Sequence, residues 1–247
     1  MRSDKLNLVS LAVVAGLFIV ILLTGVVGSV RNGNYVVLAI VFTALALCGG
    51  AIWFAHYRVR VLLQDRTPDR IIRHYHRSVR RIPHANAAAA YLSALAAAFF
   101  GQFDRARAEL DAVDWDSTTP VYRGHRLYVL ATLALLEETN YPKALQYARQ
   151  AKELENREPG GGLQVLDDVI HLVAQAPSEG TVERLDRVAK KQHGLMPGMA
   201  AWALAVYYRR ANEMAKAAEF KTLLRLAVPH SAPLKRAEQD LPPGERA

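Results

Sequence analysis

Two uncharged apolar runs stand close together near the start of the chain. Residues 6–30, LNLVSLAVVAGLFIVILLTGVVGSV, hold no charged side chain over 25 positions, and residues 35–57, YVVLAIVFTALALCGGAIWFAHY, form a second such run. As a helix the first is about 37 Å long at ~1.5 Å per residue, enough to cross a hydrocarbon core of about 30 Å with some tilt. Tyr35 stands at one end of the second run, and Trp53 and Tyr57 at the other, as interface-seeking aromatics do. Between the runs, RNGN (31–34) is a short polar turn. The pattern predicts a transmembrane helical hairpin. A cleaved signal peptide fits the first run poorly, because the run exceeds the usual apolar region of roughly 7–15 residues and no A-x-A site follows it. Nor is Leu45-Ala46-Leu47-Cys48 a lipoprotein site, since Leu47 is too large there and the position lies too deep in the chain.

Charge is distributed unevenly along the 247 residues. The net charge is +8, of which residues 1–57 carry +2, residues 58–81 carry +6 and residues 82–247 carry none. The larger C-terminal part therefore lacks the basic field that gathers nucleic acid. Basic residues near span ends set orientation. Two precede the first run, one lies in the turn, and eight arginines follow the second: Arg58, Arg60, Arg66, Arg70, Arg73, Arg77, Arg80 and Arg81. This asymmetry predicts a two-span protein of the inner or plasma membrane, with both termini and everything after residue 57 in the cytoplasm. Cys48 is the lone cysteine, so no intrachain disulfide can form, as suits a reducing compartment.

Thr67-Pro68 reads as an N-cap followed by proline at the first helical position, opening a helix over 68–82. Arg70, Arg73, Arg77 and Arg80 then share one face, and Ile71, Ile72, Tyr75, Val79 and Ile82 the opposite one. Such a helix beside a span either sets topology, meets anionic lipid headgroups through its arginines, or packs its apolar face on the following domain. No aromatic ladder accompanies the stripe, which speaks against nucleic acid. His74, His76 and His84 lack the spacing and the companion ligands of a metal site.

Three stretches in the remainder align without gaps: GQFDRA (101–106), TNYPKA (139–144) and NEMAKA (212–217). Each follows a long apolar run and opens a second helix. Twelve residues before their final alanines stand Ala94, Thr132 and Ala205, all small, so paired helices can approach closely. The marker alanines are 38 and then 73 residues apart, leaving room for one further pair, supplied by 163–176 and 181–192. In these features the chain resembles the tetratricopeptide repeat (TPR), whose helix pairs carry small residues at those two points. Ala90, Tyr128 and Ala201 stand where that family often has tryptophan. The resemblance covers about 84–228 and implies a helical-repeat solenoid there; with the hairpin 1–57, the basic juxtamembrane segment 58–83 and a tail 229–247, the chain is expected to be all-α.

Catalytic signatures are missing. Gly160-Gly161-Gly162 lacks the lysine and hydroxyl of a phosphate loop, and there is no H-E-x-x-H or G-x-S-x-G. Asp111, Asp114 and Asp116 lack the glycine and terminal glutamate of a calcium loop and read as capping and loop residues. No cofactor or metal is expected. By the resemblance, the first helix of each pair lines a concave face that binds protein or peptide, which here includes Tyr91, Leu95, Arg126, Val129, Leu133, Trp202, Val206 and Arg209. Ordinary helix packing is the competing role for each of them. Two functions follow: a membrane-anchored, non-catalytic scaffold, or a small subunit of a membrane complex whose working part is the hairpin, with Ala46 and Gly50 as close-contact positions.

Overall fold

The computed structural model describes residues 57–155, 161–191 and 194–239, together with Thr43, Ala46, Gly50 and Phe54. The expected spans thus lie outside the described residues, except that Thr43, Ala46, Gly50, Phe54 and Tyr57 are helical and exposed. Among the described residues no helix is long and apolar enough to cross a membrane, and all regular structure is helical. Met1–Tyr57 and Arg58–Ala247 are two separate compact units.

In the second unit a helical stretch at 58–63 leads to α1 (Asp69–Ser78). The boundaries of α1 differ from those expected. Pro68 is the N-cap, and the Thr67 hydroxyl donates to Asp69 Oδ2 at 2.7 Å instead of capping a backbone N–H. The helix stops at Ser78, four residues short of Ile82, which precedes Pro83 and is biased away from helical backbone. Leu63, Ile71 and Ile72 are buried in the same core as the later helices. Burial of each contributes at most about 1.5–3 kcal/mol. Residues 58–83 are therefore part of the folded unit. Asp69 fastens α1 further by an ion pair with Arg105, which holds the carboxyl below its usual range.

Four helix pairs follow among the described residues: α2 (Ala85–Phe99) with α3 (Phe103–Asp111), α4 (Pro120–Leu136) with α5 (Tyr141–Glu155), α6 (Gly161–Val173) with α7 (Thr181–Ala189), and α8 (Leu195–Arg210) with α9 (Met214–Ala227). A short α10 (Ala232–Gln239) ends the described chain. The first helices of successive pairs also touch, α2 on α4, α4 on α6 and α6 on α8. Each of these first helices is followed by a left-handed residue: Gly101, Thr139, Gln175 and Asn212. Three of them begin the aligned hexapeptides, and Gln175 supplies the turn of the remaining pair. At three of the turns an N–H reaches back five residues to a carbonyl, Gln102 to Ala97, Ala176 to His171 and Glu213 to Tyr208, all within 2.8–2.9 Å. These are Schellman-type closures that satisfy the orphan carbonyls of the helix end.

The pairs do not form an open arc. Phe99 of α2 meets Trp202 of α8 edge-on at 6.4 Å between ring centroids. Gln64 Nε2 donates to the Leu226 carbonyl at 3.0 Å. A Cβ on Gly101 would lie 3.0 Å from that of Ala232, so this turn needs glycine for both its backbone and its closeness. The reason lies in α2, ANAAAAYLSALAAAF, which is apolar on every side and is covered on every side. From Ala87 to Phe99 only Leu92 is partly open.

The third pair is tied by two adjacent buried acids on α6. Asp167 takes the Lys152 ammonium of α5 at 2.9 Å and the Tyr128 hydroxyl of α4 at 3.4 Å. Asp168 is gripped by Arg184 of α7.

Candidate binding cleft

Where the C-terminal ends of α4, α6 and α8 come together against α9 and the start of α10, they leave a cleft of about 570 Å3. Its apolar lining includes Leu135, Leu136, Val173 and Leu224, all buried, with Trp202 and Val206 half-buried above them. Arg209, Arg210 and Lys221 also line it, and no acidic side chain does. That is not forced by composition, since residues 82–247 hold as many acids as bases. Met214, 57% exposed, stands among the lining residues.

Several contacts hold these walls. Arg210 Nη1 donates to the Val173 carbonyl at 2.5 Å and Nη2 to the Tyr141 hydroxyl at 3.0 Å, with the guanidinium 5.4 Å from the Tyr141 ring centroid. It thus links α8 to α5 and α6 through neutral acceptors, with no acidic partner among the described residues. Tyr208 stacks on Phe220 at 5.5 Å, and the Lys216 ammonium lies 4.8 Å from the Tyr208 ring, which fixes α9 on α8. A volume of this size lies within the range of about 300–1,000 Å3 typical of ligand pockets.

Of the residues expected on a concave face, Trp202, Val206 and Arg209 come together in this cleft. Others are elsewhere. Tyr91, Val129, Leu95 and Leu133 are buried in the core, because α2 and α4 are enclosed by their neighbours instead of facing an open groove. Tyr91 packs against His125 at 4.6 Å between ring centroids, and burial pushes the His125 imidazole down to about 4. Arg126 is half-buried, and its Nε is buried without a hydrogen-bond partner among the described residues.

Compared with known proteins, the sequence matches no family model, no curated protein and no solved structure. The site therefore stands on its own geometry. Tyr141, Arg210, Met214 and Lys221 escaped the reading of the sequence because they lie at helix ends or on second helices. Arg210, directly after Arg209, carried the one local signal.

The eight arginines of 58–81 are a second candidate feature. All are exposed, and among the described residues only Arg70 has an ion partner, Asp65 at 3.6 Å. Behind them, burial pushes the Tyr75 hydroxyl up to about 12. His74, His76 and His84 do not converge. His74 packs tilted beside Tyr75, His76 meets Glu109 at 3.1 Å, and His84 lies 5.6 Å from the Tyr122 ring. Asp111, Asp114 and Asp116 are exposed, and Asp114 Oδ1 accepts the Asp116 backbone N–H at 3.2 Å.

Proposed function

We propose that this chain is a non-catalytic scaffold of TPR-like repeats, held to the membrane by the hairpin 6–57 with residues 58–247 in the cytoplasm, and that it captures a protein partner in the cleft around Trp202, Val206 and Arg209. The observation that supports this is the cleft itself: apolar side chains and three cations facing one open space with no acidic side chain among its described lining. Tryptophan and arginine are enriched among residues that carry binding energy. Repeat folds of stacked helix pairs present such surfaces to other proteins.

The test compares partners crosslinked to the full chain with those retained by residues 58–247. The fragment begins at 58 because Leu63, Ile71 and Ile72 belong to its core. The reading expects the same partners from both, with recovery falling about tenfold or more for Arg209→Ala with Val206→Asp, a loss of at least ~1.4 kcal/mol. Partners retained only by the full chain support instead a subunit that works through its hairpin. Reporter fusions at residue 82 and at the C-terminus are both expected to signal cytoplasm, and an external signal from either contradicts the orientation.

A further inference from the structure

Amphipathic helices that lie on membranes do so with their apolar face in the lipid. In α1 that face is already used. Ile71 and Ile72 are buried in the core of the folded unit, Tyr75 is half-buried, and Asp69 is anchored to Arg105 of α3. Only the arginine side is free. Arg73, Arg77 and Arg80 are exposed and make no ion pair within 4 Å among the described residues, though Arg73 adds to the field that lowers the Asp69 carboxyl, and Arg58, Arg60, Arg66 and Arg81 are likewise exposed on both sides of the helix in sequence. The segment 58–81 holds eight arginines against two acids and begins directly after an uncharged run of 23 residues.

We infer that this segment is a plate that docks the folded unit flat on anionic lipid headgroups by charge alone, without insertion of α1. This goes beyond the scaffold reading and rests on one part of it, the assignment of 35–57 as a span. The span places the arginines within a few residues of the leaflet, which is why lipid is favoured over nucleic acid as the anionic partner. Anchoring removes most of the entropy of bringing the plate to the surface. Each arginine near an anionic leaflet then multiplies the docked population about fivefold at low salt. Because the apolar face of α1 is buried in the core and only Val61 and Ile82, outside α1, are exposed large apolar side chains of residues 58–82, the contact fades as the screening length falls from about 10 Å at 0.1 M salt to about 3 Å at 1 M. Arginine suits the task, since its planar guanidinium meets phosphate oxygens two at a time. A docked plate holds the repeat unit in one attitude to the membrane.

The experiment uses the full chain with Cys48→Ala and Ser78→Cys, labelled at residue 78 with a fluorophore and reconstituted into vesicles. Ser78 is exposed, and its hydroxyl bonds only within its own helix, to His74. Vesicles of phosphatidylcholine alone are compared with vesicles that also contain phosphatidylglycerol, each with a nitroxide quencher either on the headgroup or deep in the acyl chain. Headgroup quenching is expected to rise in the anionic vesicles and to return to the neutral level in high salt. Acyl-chain quenching is expected to stay at background in both. Changing Arg73, Arg77 and Arg80 to glutamine is expected to lower the docked-to-free ratio on the order of a hundredfold, with the melting transition unchanged. Equal headgroup quenching in neutral and anionic vesicles overturns the inference, and so does strong acyl-chain quenching, which means insertion. Release of the label from anionic vesicles by duplex DNA at matched phosphate concentration also overturns it, assigning the face to nucleic acid. Extraction of the chain from neutral vesicles at alkaline pH reports separately on the span: a chain that washes out fails that reading, whatever the quenching shows.

Discussion

Arg184 and Asp168 form a two-pronged ion pair between α7 and α6, Nε to Oδ2 at 2.8 Å and Nη2 to Oδ1 at 2.7 Å. The carboxylate is buried and the guanidinium a third exposed, and the ion pair holds the arginine pKa above its usual value. Arg184→Ala leaves a buried carboxylate whose remaining contacts are Thr181 and Gln164, at 3.4 and 3.3 Å. Denaturant unfolding of residues 58–247 is expected to show a loss of about 3 kcal/mol, the low end for broken buried pairs because of the open arginine. The double change Asp168→Leu with Arg184→Met is expected to recover most of it. A loss under ~0.5 kcal/mol for Arg184→Ala means the pair holds nothing together.

A second prediction concerns the meeting of the first and last helix pairs. A Cβ on Gly198 of α8 would stand 3.0 Å from Val228 Cγ2, 3.5 Å from Phe99 Cε1 and 3.6 Å from Ala227 Cβ. Gly198→Ala is expected to destabilise by about 1–3 kcal/mol through overpacking. Gly162→Ala meets nothing within 4 Å and lies in the first turn of α6, so it is expected to be neutral or to stabilise by up to about 1 kcal/mol. Equal thermal shifts for the two variants would contradict the closed packing of α2 on α8.

These contacts show where a sequence reading reaches its limit. Gly101, Thr139 and Asn212 were legible as repeat turns because each begins a hexapeptide ending in a small residue. Gln175 was not, since glutamine is no marker of left-handed backbone and the turn forms through its neighbours. The helix pairs follow from apolar periodicity, which is local. The closure of α8 on α2 is not local, and so Tyr91, Leu95, Val129 and Leu133 read as either groove or packing residues, of which burial favours packing. Nothing in the sequence singled out Asp167 and Asp168, because their partners Lys152, Tyr128 and Arg184 lie 15 or more residues away.

A third prediction follows from His125. Burial lowers its folded pKa to about 4, against about 6.5 unfolded. Between these values the unfolded chain binds the extra proton, so stability is complete above pH ~6.5 and falls as pH drops toward ~4. The loss attributable to this group approaches about 3 kcal/mol at the bottom of the window. His74 is lowered as well, by burial first and then by Arg58, so the wild-type slope contains both. His125→Phe keeps a ring beside Tyr91 and is expected to show the shallower dependence in urea titrations at pH 7 and pH 4.5. Identical slopes for wild type and variant would place His125 in contact with water.

The central claim is that the cleft, and neither the outer helices nor the hairpin, receives a protein partner. The most direct measurement places a photocrosslinking amino acid in the full chain in its native membrane, at Val206, at Arg209, at exposed Gln146 of α5 and at exposed Gly50. The account predicts that Val206 and Arg209 yield the same partner adduct, while Gln146 and Gly50 do not. Adducts at Gly50 with none at Val206 or Arg209 would contradict it and make the hairpin the working part, and equal adducts at Gln146 would deny the cleft any special role.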